Sequence, residues 1–200
     1  LKGNLLRKHV SLLTLAAAGL ALLPASLHAQ TSTWSIDPAH SSVQFSIRHM
    51  GVSTVHGSLN GVKGTVLLDE KDFAKSSVQA TIDATTLTTS NEKRDQHLKS
   101  PDFFNVAESP TLTFKSTKVV SADGKQQIIG DLTIRGVTKS VTFDVDGPAP
   151  PQKGPQGKII SGFSATGVLS RSQFNFGPKF APPILGDEVK FTIDVEIDKQ

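Results

Sequence analysis

Residues 188–197 read EVKFTIDVEI, and they alternate without a fault. Val189, Phe191, Ile193, Val195 and Ile197 share one face. Glu188, Lys190, Thr192, Asp194 and Glu196 share the other. Successive side chains of a β-strand point to opposite sides, so the pattern dictates a strand with one dry face and one wet face. The alternation returns at residues 41–51, where Val43, Phe45, Ile47 and His49 oppose Ser42, Gln44, Ser46, Arg48 and Met50. It returns again at 77–87, with Val78, Ala80, Ile82 and Ala84 in phase, and at 111–119, with Leu112 and Phe114. Residues 127–134 (Ile128, Gly130, Leu132, Ile134), 139–145 (Val141, Phe143, Val145) and 158–171 (Gly162, Phe163, Ala165, Gly167) complete the series. About eight such segments with short turns predict an antiparallel barrel or sandwich. If the sheet closes, its interior holds packed side chains or one small apolar ligand.

The remaining segments are less regular. Residues 34–38, Trp-Ser-Ile-Asp-Pro, read as a short edge strand stopped by proline. Residues 54–69 are extended but carry Gly57, Gly61 and Gly64; one bent strand and two short ones fit equally. Asp123-Gly124 and Arg135-Gly136 mark tight turns. Thr89-Ser90-Asn91-Glu92 fits a capping box opening a short helix with Arg94, Asp95, His97 and Leu98. Ser100-Pro101 offers a second helix start, followed by Phe103 and Phe104 as buried anchors. Residues 147–157 form a Pro/Gly-rich loop, and 173–186 a second loop carrying Phe174, Phe176 and Phe180.

The first 29 residues have the grammar of an export signal. Lys2, Arg7 and Lys8 precede an uncharged apolar run over 10–23, Pro24 breaks it, and Leu27-His28-Ala29 suits cleavage after Ala29. The run is shorter than the ~20 residues a spanning helix needs. The reading is a leader, 1–29, and one domain, 30–200, in the periplasm. Three of the 21 basic residues lie in the leader, so 18 basic residues balance 18 acidic ones in the domain. That balance removes the electrostatic case for binding nucleic acid. There is no cysteine, so disulfides, thiolate metal sites and cysteine nucleophiles are excluded.

Several blocks resemble the YceI-like family of periplasmic polyisoprenoid-binding proteins. They are Trp34-x-Ile36-Asp37-x-x-His40-Ser41, then Phe45-x-x-Arg48-His49-Met50-Gly51, then His97-Leu98-x-Ser100-x-Asp102-Phe103-Phe104. Gly130-x-Leu132-Thr133-Ile134, Gly136-Val137-Thr138-Lys139, Gly162-Phe163 and Gly186-Asp187-Glu188-Val189 extend the likeness across the domain. The loop at 146–158 and the Pro/Phe-rich segment at 171–183 depart from the family pattern. The resemblance implies an all-β, extended, antiparallel, lipocalin-like barrel with a short helical insertion. It implies binding, sequestration or transport of a long-chain isoprenoid or similar amphiphile in the lumen, not catalysis, and no cofactor besides that lipid.

Phase places Phe45, Ile47, Phe114, Leu132, Ile134, Phe143, Phe163 and Phe191 as lumen candidates, and the buried anchor Phe104 joins them. Arg48, His49, Arg94, Asp95 and His97 are candidates for holding a polar head group at the mouth, since guanidinium suits phosphate or carboxylate. Scattered His40, His49, His56 and His97 lack metal-site spacing, and no metal is expected. The expected partner is a hydrophobic small molecule, with membrane contact at most transient and homodimerisation left open. Two rival readings stand beside this one. A lipid hydrolase would use the His40-Ser41 pair, although no G-x-S-x-G elbow is present. An interaction module would have a barrel filled by its own side chains.

Overall fold

The structure, a computed structural model, describes residues 31–200; the export signal and cleavage site expected from the sequence lie outside the described residues. The strands are β1 (Thr31–Ile36), β2 (Ser42–His49), β3 (Ser53–Leu59), β4 (Lys63–Asp69), β5 (Ser77–Asp83), β6 (Thr111–Ala122), β7 (Lys125–Ile134), β8 (Val137–Asp146), β9 (Gln152–Lys153), β10 (Ile159–Ser170) and β11 (Leu185–Lys199). One α-helix, α1 (Glu92–Lys99), interrupts them. The sheet closes because β11 pairs with β10 on one edge and with β1 and β2 on the other. The closed circuit runs β11-β1-β4-β5-β6-β7-β8-β10, an eight-stranded antiparallel barrel.

At 15 residues, β11 is the longest strand. Its fault-free alternation lets it run the length of the barrel. Near its C-terminal end Ile197 and Lys199 face β1, and from Leu185 to Asp194 it faces β2. The wall beside it is therefore made of half-strands. β1 and β2 lie along the same edge of β11, separated by the turn at 37–41. β4 continues the wall from β1, and β3 from β2. The extended region at 54–69 is accordingly two strands that do not pair with each other. The expectation of an edge strand at 34–38 is corrected: β1 is hydrogen-bonded on both sides, to β4 and β11, and Trp34 is fully buried. Pro38 ends that strand without placing it at an edge.

Asp37, His40 and Ser41 build the turn between β1 and β2. The Asp37 carboxylate accepts from the Ala39 amide at 2.8 Å and meets His40 Nδ1 at 2.7 Å. The Glu196 amide donates to Ser41 Oγ at 3.1 Å, tying the turn to β11. Asp123 and Gly124 both have φ near +50 to +75°, the left-handed pair that a two-residue hairpin requires between β6 and β7.

Residues 84–110 leave the barrel wall as one excursion, pinched at its neck by the Ala84 amide donating to Pro110 O at 2.8 Å. α1 sits in it. Its N-cap is Asn91, which accepts from the Arg94 amide, in place of the capping box expected on Thr89. Thr89 is engaged elsewhere, by Asp95 and Arg94. No second helix starts at Ser100. That residue is the C-cap of α1, and the chain turns through 101–104 to bury Phe103 and Phe104.

Candidate ligand-binding cavity

Inward side chains do not fill the barrel evenly. Three voids follow one another along the axis. The mouth cavity is about 290 Å³. A middle cavity is about 70 Å³, and a far one about 10 Å³. The strands count them off in order. On β11, Val189 and Phe191 line the first, Ile193 and Val195 the second, and Ile197 the third. On β6 and β7, Leu112 and Ile134 belong to the mouth cavity, while Phe114 and Leu132 belong to the middle one. Successive inward residues thus step from the mouth toward the far end.

The lumen candidates divide accordingly. Phe45, Ile47, Phe104, Ile134 and Phe191 line the mouth cavity. Phe114, Leu132, Phe143 and Phe163 line the middle one, and Phe163 also reaches the far void. Phase along a strand tells which way a residue faces, not how deep it sits. The mouth cavity also takes Val55 and Leu59 from β3, Leu98 from α1 and Leu169 from β10.

Phe174, Phe176, Phe180 and Ile184, from the loop between β10 and β11, complete its wall. That loop is organised by Arg171, which is only 6% exposed. Its guanidinium has no carboxylate partner in hydrogen-bond contact and spends its donors on backbone carbonyls. Nε donates to Gly186 O at 2.8 Å, and Nη1 to Phe176 O and Gly177 O, each at 2.8 Å. Nη2 donates to Leu185 O at 3.0 Å and to Phe180 O. Burial pushes the Arg171 pKa down, partly opposed by the Asp187 charge. A planar fork with five N–H groups is the side chain that can gather five carbonyls. Sequence reasoning missed this residue. Arg171 reads as the last residue of the strand at 158–171, and the one available signal was the cluster of phenylalanines that follows it.

Across the mouth, α1 packs on the same aromatic group. His97 lies edge-on to Phe103 and Phe180, at centroid distances of 5.1 and 5.6 Å. Phe103 stacks on Phe180 at 5.3 Å, and Phe104 meets Phe176 edge-on at 4.5 Å. Asp102 receives Lys179 Nζ at 2.9 Å, and that bond, with the charges of Lys179 and His97, holds its carboxyl below the usual range against the effect of burial. The excursion and the Phe-rich loop thus clasp each other beside the opening.

The five head-group candidates separate in space. His49, Arg94 and His97 line the mouth cavity. Arg48 does not; it lies on the outer face of β2, donating to Gly51 O at 2.7 Å and Thr54 Oγ1 at 2.9 Å. Its place at the mouth is therefore corrected, as the alternation of its strand dictates. Asp95 is likewise not in the cavity lining. It accepts from the Thr89 amide at 2.8 Å, from the Thr88 hydroxyl at 3.0 Å and from the Thr89 hydroxyl. Burial raises its pKa, but these hydrogen bonds outweigh burial and the carboxyl lies below the ordinary value. Arg94 braces the same threonine through Nε to Oγ1 at 2.7 Å and Nη2 to O at 2.8 Å.

Among the described residues one donor group has metal-like spacing: Asp37, His40 and Glu196, within 4.8 Å of one another. It lies in the β1–β2 turn, beside the part of β11 farthest from the mouth. The Asp37 hydrogen bond raises the His40 pKa, and the same bond lowers that of Asp37. Ser41 Oγ is committed to the β11 backbone. Neither Ser41 nor His40 lines the mouth cavity.

Comparison with known proteins agrees with this architecture. A family model described as a YceI-like domain matches residues 34–197. A UPF0312 protein of Vibrio parahaemolyticus is 34% identical over 189 residues, covering 92% of this chain and 96% of its own. A UPF0312 protein of Staphylococcus aureus is 37% identical over 169 residues, covering 82% and 96%. Among solved structures, Burkholderia cenocepacia BcnA superposes with a TM-score of 0.71 at 25% identity, over 80% of this chain and 98% of that one. The Campylobacter jejuni YceI protein gives 0.67 at 31% identity, over 76% and 90%. A polyisoprenoid-binding domain from Saccharophagus degradans shares the fold, with a TM-score of 0.60 at 12% identity, over 84% and 98%. On the domain match and the two UPF0312 relatives, the chain belongs to the YceI-like family.

Proposed function

We propose that this protein is an exported carrier that holds the apolar chain of a prenyl lipid, or a similar amphiphile, in the mouth cavity. The observation that carries the reading is the cavity itself: about 290 Å³, walled by aliphatic and aromatic side chains and bordered by His49, Arg94 and His97. Burying a methylene contributes ~0.8 kcal/mol, so a chain of about ten carbons gains roughly 8 kcal/mol before ordering costs. The basic rim suits an anionic head group. Met50, Val52 and Ile184 stand 50%, 80% and 48% exposed at the same end, where Met50 N donates to Ile184 O. An apolar lip of this kind fits brief contact with a lipid surface during exchange. The family likeness and the name of the Saccharophagus degradans neighbour support an isoprenoid cargo. The leader-like segment supports a periplasmic site of action. Binding is favoured over hydrolysis because Ser41 is bonded to backbone and does not line the cavity.

Native mass spectrometry of protein purified from its own periplasm, followed by organic extraction, tests the proposal. A stoichiometric prenyl or long-chain adduct, lost in a folded Phe45→Asp variant, is the expected result. A bare mass with no uptake of added prenyl lipid would overturn it.

A further inference from the structure

The cluster of Asp37, His40 and Glu196 stands apart from the lumen. Asp37 and His40 lie in the turn between β1 and β2, and Glu196 comes to them from β11. His40 Nδ1 is 2.7 Å from Asp37 Oδ2 and 3.6 Å from Glu196 Oε1, and the donor atoms all lie within 4.8 Å of one another. None of these residues lines the mouth, middle or far cavity. The third donor is brought in by the pairing of Ile36 with Ile197, which no local motif announces.

From this geometry we infer that Asp37, His40 and Glu196 bind a zinc ion, which clips the β1–β2 turn to β11. An imidazole nitrogen beside two carboxylates is a donor set that suits zinc, whereas magnesium and calcium take oxygen ligands. Ligands about 2.0–2.2 Å from a tetrahedral ion stand about 3.3–3.6 Å from each other. Nδ1 and Oε1 already have that spacing, and Nδ1 and Oδ2 need to open slightly. The ion takes the place of the hydrogen bond between His40 and Asp37, and water fills the fourth position.

The backbone beneath the donors is tied from both sides. The Asp37 amide donates to Glu196 O at 2.9 Å, and the Glu196 amide donates to Ser41 Oγ at 3.1 Å. The Ala39 amide donates to Asp37 Oδ1 at 2.8 Å, which orients the carboxylate and leaves Oδ2 turned toward His40. Outer bonds of this kind hold ligands in place before a metal arrives. The side chains of His40, Glu196 and Asp37 are 65%, 33% and 21% exposed, so an ion can enter from solvent. The nearby Lys158 cation, whose charge acts on Asp37, is held by Asp198 at 2.6 Å, and that pairing offsets its repulsion of a metal.

The test is calorimetric titration of zinc into untagged protein stripped with a chelator, with a thermal melt beside it. One zinc should bind per chain, and the melting midpoint should rise by about 5–10 °C once zinc stands about 100-fold above its Kd. Magnesium at the same concentration should leave the midpoint where it was. His40→Ala and Glu196→Gln should each weaken zinc binding at least about tenfold, since loss of even an outer-shell partner costs about 10–100-fold. Glu196→Gln keeps the size of its side chain and carries the test if the alanine variant does not fold. His56→Ala, at an exposed histidine of β3, should stay within about twofold of the wild type. Zinc binding that survives both ligand variants, or that falls as far in His56→Ala, would put the ion on scattered surface groups and overturn the inference. A wild type that binds no zinc at about 1 mM would overturn it as well.

Discussion

Replacing Arg171 by methionine should destabilise the protein strongly for a substitution outside the strands. Methionine keeps the apolar stem and removes every donor. Five carbonyls, from Phe176, Gly177, Phe180, Leu185 and Gly186, then lose their partner. Hydrogen bonds to a charged group contribute about 1.5–3 kcal/mol each before the cost of burying that charge. Burying the guanidinium costs several kcal/mol, and some freed carbonyls will reach water as the loop loosens. The net loss is about 3–5 kcal/mol, a large part of the ~5–15 kcal/mol that holds a domain together. Urea unfolding at constant m-value would show it as a shift in midpoint, and a thermal melt as a fall of roughly 6–20 °C. Arg171→Lys should recover only a minority of the loss, because an ammonium presents three donors without the planar fork. Hydrogen exchange in the variant should quicken first at residues 174–186. A methionine variant within about 1 kcal/mol of the wild type would mean that these carbonyls are solvated at no cost, and that Arg171 does not hold the cavity wall.

Three further outcomes follow from the packing and titration described above. Gly130→Ala should cost about 1–3 kcal/mol by chemical denaturation, since its Cβ would stand 2.5 Å from Lys115 O as well as against Phe114. Asp95→Ala should cost about 1–3 kcal/mol and speed amide exchange at Thr89 and through α1. Because the folded Asp95 carboxyl titrates below its ordinary value, its contribution is present above the unfolded pKa near 3.9 and lost as pH falls through the lowered one. The gap between variant and wild type should therefore close in acid. His40 has the opposite sign: its pKa is raised above 6.5, so its contribution is present below that value and fades as pH rises through the raised one. Imidazole NMR should give a midpoint above 6.5 that returns toward it in Asp37→Asn.

The barrel was legible because its best strands are amphipathic with period two. The facing sets of β6, β7, β8, β10 and β11 follow from residues such as Leu112, Phe143, Ala165 and Val195 alone. What resisted reading was set by tertiary pairing. Trp34 and Ile36 look the same whether a strand is paired on one side or two, and only the length of β11 decides it. The glycines of 57–64 hid the break between β3 and β4. At the site, phase identified the inward residues but gave no axial depth, so Phe45 and Phe143 appeared equivalent although they line different cavities. Arg48 beside His49 looked like a mouth residue by proximity, and the strand's own alternation turned it outward. Arg171 stayed hidden because its burial depends on carbonyls up to 15 positions away.

The order in which the barrel can be assembled follows from the reach of β11. Residues 31–170 can form hairpins in succession, but no arrangement of them closes the cylinder. The Ser41–Glu196 contact alone joins positions 155 apart, and such distant pairing is slow to nucleate. A chain delivered N-terminus first presents β1, β2 and β10 with unpaired edges until its final strand arrives. Those edges are templates for pairing with other chains. The hazardous interval in this protein's life is therefore the time between the emergence of β10 and the docking of β11. A helper that shields bare strand edges would act then, before any ligand has a cavity to enter.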